Sequence, residues 1–533
     1  MNRSLLNIAE ILRGSPGSRK LGNKSRFRNE TARTLLVLLV VCTAATVASA
    51  GPGNYNQQGP KLVGTGWIIV PPFLVQQGNS VAISADGNTA LIGGPSDNGS
   101  VGAAWVFART NGVWTQQGEK LVGTGAIGTA TQGGSVALSA DGNTAAVGGG
   151  GDNGGIGAVW IFIRSGGAWT QQGSKLVGDT SGRPFQGTGL ALSADGNTLV
   201  DAGSFPAGGR GGVWVFTRSS GIWMQRQRLS DYGLERPVAI SADGNTLVGS
   251  LPPSGDATAR SVVVFTRLNE IWTQQAVLSL SVSNDELVTS SLTANGDTLL
   301  TRDQFFYRKD GVWSQNGPQL GAPDDGGSVL SADGHTVIAN RYHPSEHTTF
   351  QDLFVKVGGT WKLQNVYIGK GGTVAGGGSA LAVTANGNTM IESEEFDNNG
   401  VGATWVFASP QLFTSLTHSG NFTRGQMGAT YTITAKNVGD RAIHSAYTSA
   451  VNLVDRLPDG LVATGISGDG WSCTLATLFC TRSDGLAVGA TFPPVTVTVN
   501  VSSDAPASVT NSATASGGGS RWSTAKDVTN VGP

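Results

Sequence analysis

The sequence predicts an all-β protein: a seven-bladed β-propeller closed by an N-terminal strand, followed by a small Ig-like β-sandwich. Three observations predict this fold. Glycine accounts for 79 of 533 residues, and it recurs beside Asp or Asn, as in tight hairpin turns. One five-residue motif returns seven times, and the pattern changes after position 408. Repetition at intervals of about fifty residues is typical of propellers and solenoids.

The repeated motif reads Ser-Ala-Asp-Gly-Asn in its first copy. Asp-Gly or Asn-Gly between alternating apolar residues is the strongest short-range signal of a β-hairpin, because both residues tolerate positive φ. The seven copies lie at 84–88, 139–143, 193–197, 241–245, 293–297, 331–335 and 384–388. The structural turn residues predicted from the Asp-Gly copies are Asp86, Gly87, Asp141, Gly142, Asp195, Gly196, Asp243, Gly244, Asp333 and Gly334.

Two further elements follow each turn. An apolar strand such as 104–107 (Ala-Trp-Val-Phe) comes first, and after a second tight turn a strand begins with Trp, as at Trp114. Each unit therefore offers four strands in series, which is one propeller blade. We expect the recurrent Trp residues to pack between blades, because they recur at equivalent strand positions. An aromatic platform for sugars is the alternative.

The two ends of the repeat array indicate how the ring closes. Residues 55–62 match residues 114–121 in register, whereas the seventh unit stops after Phe407 with no strand of the Trp-x-Gln-Gln type behind it. The first strand of the chain should therefore complete the last blade. Such closure removes two exposed sheet edges that would otherwise invite aggregation.

The segment 93–107, which contains Asp97-Asn98-Gly99 and ends in Ala-Trp-Val-Phe, resembles the FG-GAP repeat of integrin-α-type propellers. The resemblance covers residues 51–408; the fourth to sixth units match least. It implies a propeller fold and an adhesive or ligand-binding role. Some members of that family hold calcium in Asp-x-Asp-x-Asp-Gly loops, and this sequence has no such loop. The Asp97 and Asp152 segments have too few carboxylates for a standard calcium site. We therefore expect no cofactor, although calcium dependence stays open.

Residues 409–533 follow a different pattern. Several short alternating strands over about 120 residues favour an Ig-like sandwich, and the segment resembles a bacterial surface repeat domain of unknown function that serves as a stalk or spacer. Cys473 and Cys480 are the only cysteines after residue 50. An even cysteine count in an exported chain predicts one disulfide, which here would close a short hairpin.

Residues 1–50 are typical of a secretory signal. A basic stretch ends at Arg33, a short apolar run follows, and Ala48-Ser49-Ala50 fits a small-residue cleavage site. An uncleaved anchor is the alternative. This segment holds eight Lys or Arg and two acids, so the remainder holds 27 basic and 34 acidic residues, a net charge of −7. That balance disfavours nucleic acid and anionic membranes as partners, and no stable membrane span is expected after cleavage.

No convincing catalytic constellation is present. The string from His343 to His347 matches His-x-x-Glu-His, but a zinc peptidase needs this string on a helix, so the two histidines are only weak metal candidates. Residues 123–128 spell Gly-x-Gly-x-x-Gly without the strand and helix that a dinucleotide site requires. Arginines recur in one register, at Arg109 and its equivalents, which predicts a solvated ring on the rim rather than one converging site.

The best binding candidates are residues that break the repeat. Trp67 and Phe73 belong to an apolar insertion that no other unit has, and such a patch can mark a partner site or plug the propeller channel. We therefore expect a non-enzymatic, extracellular or cell-surface binding protein whose partner is a protein or a glycan. Two alternatives stand beside it: a sialidase-like propeller enzyme acting on extracellular glycans, and a purely structural envelope protein.

Overall fold

The computed structural model describes residues 55–533 except positions 111, 181, 204–210, 230–234, 252–259, 281–288, 321–326, 344–347, 358, 368–369, 371, 373–379 and 444–449. The predicted signal segment, residues 1–50, lies outside the described residues. The described chain is all-β, as predicted. None of the helices in this part of the chain has the length and apolar character needed to span a bilayer.

Seven antiparallel four-stranded sheets are present in the described residues up to position 408. The first strand of the chain, β1 (Asn56–Gln57), belongs to the last of these sheets. Sheet 1 contains β2 (Ser80–Ile83), β3 (Thr89–Gly94), β4 (Ala103–Thr110) and β5 (Val113–Gln116). Sheet 2 contains β6 (Ser135–Leu138), β7 (Thr144–Gly149), β8 (Ala158–Ser165) and β9 (Ala168–Gln171). Sheet 3 contains β10 (Gly189–Leu192), β11 (Thr198–Gly203), β12 (Gly212–Ser219) and β13 (Ile222–Arg228).

The later sheets follow the same strand order. Sheet 4 contains β14 (Glu235–Ile240), β15 (Thr246–Leu251), β16 (Ser261–Leu268) and β17 (Ile271–Ser279). Sheet 5 contains β18 (Ser290–Leu292), β19 (Thr298–Thr301), β20 (Gln304–Lys309) and β21 (Val312–Gln315). Sheet 6 contains β22 (Ser328–Leu330), β23 (Thr336–His343), β24 (Thr348–Val357) and β25 (Thr360–Tyr367). Sheet 7 contains β26 (Ala380–Val383), β27 (Thr389–Glu394), β28 (Ala403–Ala408) and β1. Three four-residue helical turns accompany sheets 1, 2 and 7: α1 (Asp97–Ser100), α2 (Asp152–Gly155) and α3 (Asp397–Gly400).

The first strands of consecutive sheets contact one another around a cycle. Strand β2 contacts β6, and the series continues through β10, β14, β18, β22 and β26, which contacts β2 again. The middle strands are buried on both faces, as in Thr89–Gly94, and the tryptophans of the third strands, Trp105 and Trp160, are fully buried. The core therefore lies between neighbouring sheets, where the sequence predicts the recurrent Trp residues to pack.

The repeated Asp-Gly turns link the sheets to one another. Within a turn, the Ser84 hydroxyl donates to Asp86 Oδ1 at 2.5 Å and accepts from the Thr89 amide at 3.0 Å, so the sequence motif specifies its own shape. Between turns, the Ala85 amide donates to the Ala140 carbonyl at 2.9 Å, and the same link recurs from turn to turn. Gly87 has φ +69° and a Cβ there would lie 3.0 Å from a methyl of Thr384 in sheet 7. The predicted structural role of these turns therefore extends to the contacts between sheets.

The N-terminal strand pairs with the last sheet. Asn56 lies opposite Ala408 and Gln57 opposite Phe407 in the antiparallel register of β1 and β28. The Leu62 amide then donates to the Thr404 carbonyl at 2.7 Å. Sheet 7 thus takes its fourth strand from the other end of the array, at the position that the match between 55–62 and 114–121 predicts.

Residues after Ser409 form two sheets around a separate core. One has the order β29-β31-β36-β33 and the other β30-β38-β37-β32-β35-β34. Their strands are β29 (Leu412–His418), β30 (Phe422–Thr423), β31 (Ala429–Asn437), β32 (Val451–Arg456), β33 (Leu461–Gly468), β34 (Ser472–Thr474), β35 (Phe479–Arg482), β36 (Val495–Val501), β37 (Ser508–Gly517) and β38 (Ser520–Gly532). Alternate residues such as Tyr431, Val497 and Leu453 enter the shared core. The Cys473–Cys480 disulfide is present and joins β34 to β35, as predicted.

The antiparallel register gives each sheet two distinct ends. One end, called the turn end, carries the Asp-Gly turns and the turns between the third and fourth strands of each sheet, such as that between β4 and β5. The other end, called the loop end, carries α1, α2, α3 and the connections between sheets. Strand β28 runs toward the turn end, so the C-terminal domain begins there. Its Asp440 lies against Arg109 of sheet 1, with Oδ1 3.0 Å from Nη2, and accepts from the Thr389 hydroxyl of sheet 7 at 2.6 Å. The loop end therefore lies opposite the contact with the C-terminal domain.

Candidate binding surface

An exposed apolar loop occupies the loop end of sheet 1. The apolar loop, residues 67–74, reads Trp-Ile-Ile-Val-Pro-Pro-Phe-Leu and contains no charged side chain. Trp67 is 39% exposed and Phe73 is 45% exposed, and the neighbouring turn of sheet 7 adds Phe396 at 48%. Scattered apolar residues are normal on a protein surface, but a contiguous apolar patch marks an interaction site.

Hydrogen bonds hold the base of this loop. The side chain of Gln77 closes the neck: its Oε1 accepts from the Gly64 amide at 2.6 Å, and its Nε2 donates to the Gly64 carbonyl at 3.0 Å. Beyond the neck, the Ile68 amide donates to Asp97 Oδ1 at 2.7 Å and the Ile68 carbonyl accepts from Asn98 at 2.8 Å. The apolar side chains therefore project from a loop whose base is held by hydrogen bonds.

The equivalent loop of sheet 2 shows what the insertion adds. Gln132 closes the same neck on Gly123, and the Ile127 amide donates to Asp152 as Ile68 does to Asp97. Gln77 follows Ile68 by nine positions, whereas Gln132 follows Ile127 by five. The four extra residues and Trp67, which replaces Ala126, turn a short connection into the apolar loop. Trp67 and Phe73 lie on the surface, and the described contacts do not place them over a channel.

Buried lysine–aspartate pairs occupy the Asp-Asn loops of sheets 1, 2 and 7. Lys120 Nζ lies 2.5 Å from Asp97 Oδ2, and the Asp97 side chain is 1% exposed. The same pair recurs as Lys175 with Asp152 and as Lys61 with Asp397. An ammonium group therefore neutralises each carboxylate. Among the described residues, no group of three or more His, Cys, Asp or Glu side chains is placed to hold a metal ion.

These lysines were not identified from the sequence, although a signal was present. The string Gln-Gly-x-Lys-Leu-Val occurs at 58–63, 117–122 and 172–177, that is, in the units that also have the Asp-Asn loop. The spacing of the repeats does not by itself show that each of these lysines contacts the aspartate of an Asp-Asn loop.

The recurrent arginines differ from the expected solvated ring. Arg109 is 8% exposed and its guanidinium stacks on Trp114, with 5.5 Å from Cζ to the ring centroid. Arg164 stacks on Trp169 in the same way. Both also donate to the preceding sheet, so the tight packing of the turn end, rather than solvent, surrounds them. Each arginine serves its own sheet junction, and these arginines do not converge on one site.

Two carboxyl groups in the seven four-stranded sheets have strongly raised pKa values. Complete burial raises the pKa of Asp201 to about 7, because only the Gly187 amide donates to it, at 2.6 Å, and its Oδ2 has no hydrogen-bond partner among the described residues. Burial, together with the nearby Glu395 and Asp397 carboxylates, raises the pKa of Glu394 to about 7. Asp201 replaces the apolar residues Ile92 and Val147 of sheets 1 and 2, and the spacing of the repeat alone gave no sign of its burial.

The remaining sequence candidates have simple outcomes. Residues 123–128 form a connection between sheets 1 and 2, as expected for a chance Gly-x-Gly-x-x-Gly string. His343 ends strand β23, and His347 lies outside the described residues, so the metal candidacy of the two stays a prediction. The residues that lead up to His343 form a strand and not the helix that a zinc peptidase needs.

Comparison of the sequence with known protein families finds no match. A search of curated proteins finds none either. Among solved structures, the hydrazine synthase of Kuenenia stuttgartiensis is similar to part of the chain at 16% sequence identity, covering 62% of this chain and 96% of that chain, with a TM-score of 0.41. A similarity of this extent carries no argument about function.

Proposed function

We propose that this chain is a non-enzymatic binding protein, exported to the cell surface or beyond it, in which a seven-bladed β-propeller of the FG-GAP type presents a partner-binding loop. The cycle of contacts among first strands supports the closed seven-bladed arrangement, and backbone hydrogen bonds link the seven turns in series. The two C-terminal sheets around one core support an Ig-like sandwich at the turn end.

The observation that carries the function is the apolar loop at residues 67–74. Its aromatic members, Trp67 and Phe73, are residue types that dominate binding energy at protein interfaces. Because the loop base is fixed by Gln77 and Asp97, little conformational entropy is lost on binding. The loop end lies away from the C-terminal domain and is therefore accessible to a large partner.

A protein is the partner class that these observations favour. The loop and its flanks, from Leu62 to Ala85, contain no charged residue, and the chain after residue 50 has a net charge of −7. An anionic lipid surface needs basic residues beside the apolar ones. A protein surface with an apolar pocket needs only shape and desolvation, which Trp67 and Phe73 supply.

A surface-binding assay tests this proposal. Fluorescently labelled residues 51–533 are applied to envelope preparations of the source cells and, separately, to vesicles of neutral and of anionic lipid. The variant carries Trp67→Ser and Phe73→Ser, and the matched control carries Val113→Ser and Ile222→Ser, two residues at the turn end that are 62% and 65% exposed.

Saturable, protease-sensitive binding that is lost in the loop variant and retained in the control is the expected result. Loop-dependent binding to the vesicles would assign the loop to a lipid surface instead. Equal binding by the loop variant and the wild type would contradict the proposal, because the apolar loop would then have no part in the interaction.

A further inference from the structure

One junction between two sheets at the turn end binds a carboxylate of the chain itself. Asp440 of the C-terminal domain has its Oδ1 3.0 Å from Arg109 Nη2 of sheet 1, and its Oδ2 accepts from the Thr389 hydroxyl of sheet 7 at 2.6 Å. The same hydroxyl accepts from Arg109 Nη1 at 3.3 Å, and Arg109 Nε donates to Asn88 Oδ1 at 3.0 Å. We call this set of an arginine, the asparagine of its own turn and the threonine of the preceding sheet a notch.

Three further notches have the same construction. Between sheets 1 and 2, Arg164 Nε donates to Asn143 Oδ1 at 2.9 Å, and its Nη1 donates to the Thr89 hydroxyl at 3.1 Å. The equivalent residues between sheets 2 and 3 and between sheets 3 and 4 are Arg218, Asn197 and Thr144, and Arg267, Asn245 and Thr198. Backbone hydrogen bonds link the turns of these sheets in series, so the three notches follow one another along the turn end.

These notches keep the two donors that bind Asp440 in the first one. Thr89 is 3% exposed, and its hydroxyl accepts from Arg164 but donates to no acceptor among the described residues. Arg164 donates through Nε and Nη1, and its Nη2 bonds to no group in the described part of the chain. Asp440 accepts from the corresponding hydroxyl and the corresponding Nη2. A carboxylate of another protein can therefore make the same two contacts at Thr89 and Arg164.

Each notch also contains the aspartate of its own Asp-Gly turn, which is compatible with a bound carboxylate. Both carboxylate oxygens of Asp141 accept hydrogen bonds from the serine and the asparagine of the same turn. Asp86 makes the same bonds in the notch that holds Asp440. Burial raises the pKa of Asp440, and Arg109 opposes that effect. A carboxylate at a more exposed notch loses less water, so its ionised form is retained more easily.

The other sheets do not repeat this construction. In sheet 5, Asp297 stands at the position of the asparagine, and its Oδ1 lies 2.8 Å from Arg308 Nε, so a carboxylate of the turn already neutralises the arginine. Lys356 in sheet 6 and Ser409 in sheet 7 stand at the position of the arginine. The three notches are therefore confined to sheets 2, 3 and 4, on one arc of the turn end.

We propose that the notches of sheets 2, 3 and 4 form a docking surface for a partner protein that presents aspartate or glutamate side chains, as the C-terminal domain presents Asp440 to sheet 1. Each carboxylate would accept from an arginine and from a threonine hydroxyl, and hydrogen bonds between charged groups are the strong ones. Because the notches are consecutive, several acidic side chains of one segment can bind together, which raises the overall affinity. This surface is independent of the apolar loop at the loop end, so either proposal can fail alone.

A synthetic peptide of residues 435–443 tests the docking surface. It contains Asp440 and also Asn437, whose side chain bonds to Gly439 and Arg441 within the same segment. The fluorescein-labelled peptide is titrated with wild-type residues 51–533, and fluorescence anisotropy reports binding. In this protein Asp440 of the chain itself fills the notch of sheet 1, so binding that depends on the peptide's aspartate reports on the other notches.

The same peptide with Asp440→Asn is the matched control. It has one negative charge fewer, so a general attraction to this acidic protein would favour the control peptide. We expect the aspartate peptide to bind at least about tenfold more tightly, since a hydrogen bond to a charged group contributes that much. Equal or tighter binding of the asparagine peptide, or binding of neither peptide, would overturn the proposal.

Substitutions in the protein locate the binding. Thr89→Val, Thr144→Val and Thr198→Val together remove the three hydroxyl donors and keep the side-chain size, and they should lower the affinity for the aspartate peptide about tenfold. Thr389→Val makes the same change in the notch that Asp440 fills, and this control should bind the peptide as the wild type does.

A second variant removes the charged donors instead. Arg164→Gln with Arg218→Gln should also weaken binding of the aspartate peptide, and it should bring the affinity closer to that of the asparagine peptide. The melting temperature of each variant checks that it is folded. Undiminished binding of the aspartate peptide by the folded arginine variant or by the folded threonine variant would place the peptide elsewhere and overturn the assignment.

Discussion

The ammonium of Lys61 lies 2.5 Å from Oδ2 of Asp397, although 336 positions separate the two residues in the chain. In sheets 1 and 2 the corresponding lysine follows its aspartate by only 23 positions, as Lys120 follows Asp97. The N-terminal segment therefore supplies sheet 7 with both a strand and a lysine. In sheets 1 and 2, the corresponding strand and lysine directly follow the rest of the sheet in the chain.

This relationship predicts the effect of trimming the N-terminus. A chain that begins at residue 64 lacks β1 and Lys61, so sheet 7 is left with an open edge and loses the buried ion pair between Lys61 and Asp397. We expect it to aggregate, whereas a chain that begins at residue 55 stays monomeric. Size-exclusion chromatography of the two purified chains checks this, and a monomeric, folded chain from residue 64 would contradict it.

The buried pairs predict a large effect of one lysine. Lys120→Met leaves the Asp97 carboxylate buried without its ion-pair partner, and removing one member of a buried ion pair costs about 3–5 kcal/mol. The midpoint of denaturant unfolding should fall accordingly. Glu119→Met, a change at the neighbouring exposed carboxylate, is the control and should have little effect.

The same pairs predict indifference to metal. Because an ammonium neutralises each described Asp-Asn loop, millimolar calcium or EDTA should leave the melting temperature of the wild-type protein unchanged. Differential scanning fluorimetry measures it. A rise with calcium that EDTA reverses would show that metal stabilises part of this fold.

The contact of Arg109 with Asp440 predicts coupling between the two domains. Asp440 also binds Thr389 of sheet 7, and Gln58 Nε2 donates to its carbonyl at 3.2 Å, so the C-terminal domain spans the junction of sheets 7 and 1. Asp440→Ala should lower the free energy of unfolding by about 1–3 kcal/mol, the cost of leaving a buried partner unsatisfied.

A double-mutant cycle isolates this contact. Arg109→Ala combined with Asp440→Ala should destabilise less than the sum of the two single changes. Asp459→Ala, at an exposed carboxylate of the same domain, serves as the control. Additive effects of the two single changes would mean that the ion pair contributes nothing to the domain contact.

Asp201 predicts a pH dependence of stability with an unusual sign. Its folded pKa of about 7 exceeds the usual 3.8, so between these values the folded protein keeps a proton that the unfolded chain has lost. The free energy of unfolding contributed by this group therefore falls as the pH rises from about 4 to about 7 and then levels off.

Asp201→Asn removes this dependence while its side-chain oxygen still accepts from Gly187. At pH 8 the variant should be the more stable protein, by at most on the order of 4 kcal/mol at about 1.4 kcal/mol per pKa unit, and near pH 4 the two should be similar. Urea unfolding at a series of pH values measures the difference. Parallel stability curves for the two proteins would contradict the perturbed titration.

The local part of this fold can be predicted from the sequence, and the long-range part only in outline. Asp86-Gly87 specifies its own turn, because the residues that shape it lie within five positions. The role of Arg109 could not be predicted, because its partners Gln58, Thr389 and Asp440 come from three distant segments. Without those contacts a recurrent arginine at a strand end is expected to be solvated.

The candidate sites follow the same rule. Trp67 and Phe73 stand out because they interrupt a repeat, and the structure places both on the surface. Arg164, by contrast, follows the repeat, and its bonds to Asn143 and to Thr89 of the preceding sheet depend on packing that only the structure gives. The repeat thus shows which residues are unusual in the sequence, whereas the contacts in the structure show what each residue does.

Site-specific photo-crosslinking tests the central claim most directly. A photoreactive phenylalanine analogue is placed at Phe73 at the loop end or at Val113 at the turn end, and each labelled protein is irradiated on envelope preparations of the source cells. The account predicts one crosslinked protein from position 73 and none from position 113. An excess of unlabelled wild-type protein should abolish this crosslink by competition. An equal excess of the Trp67→Ser variant should leave the crosslink unchanged. The same crosslinks from both positions, or none from position 73 under conditions in which the protein binds, would contradict the account.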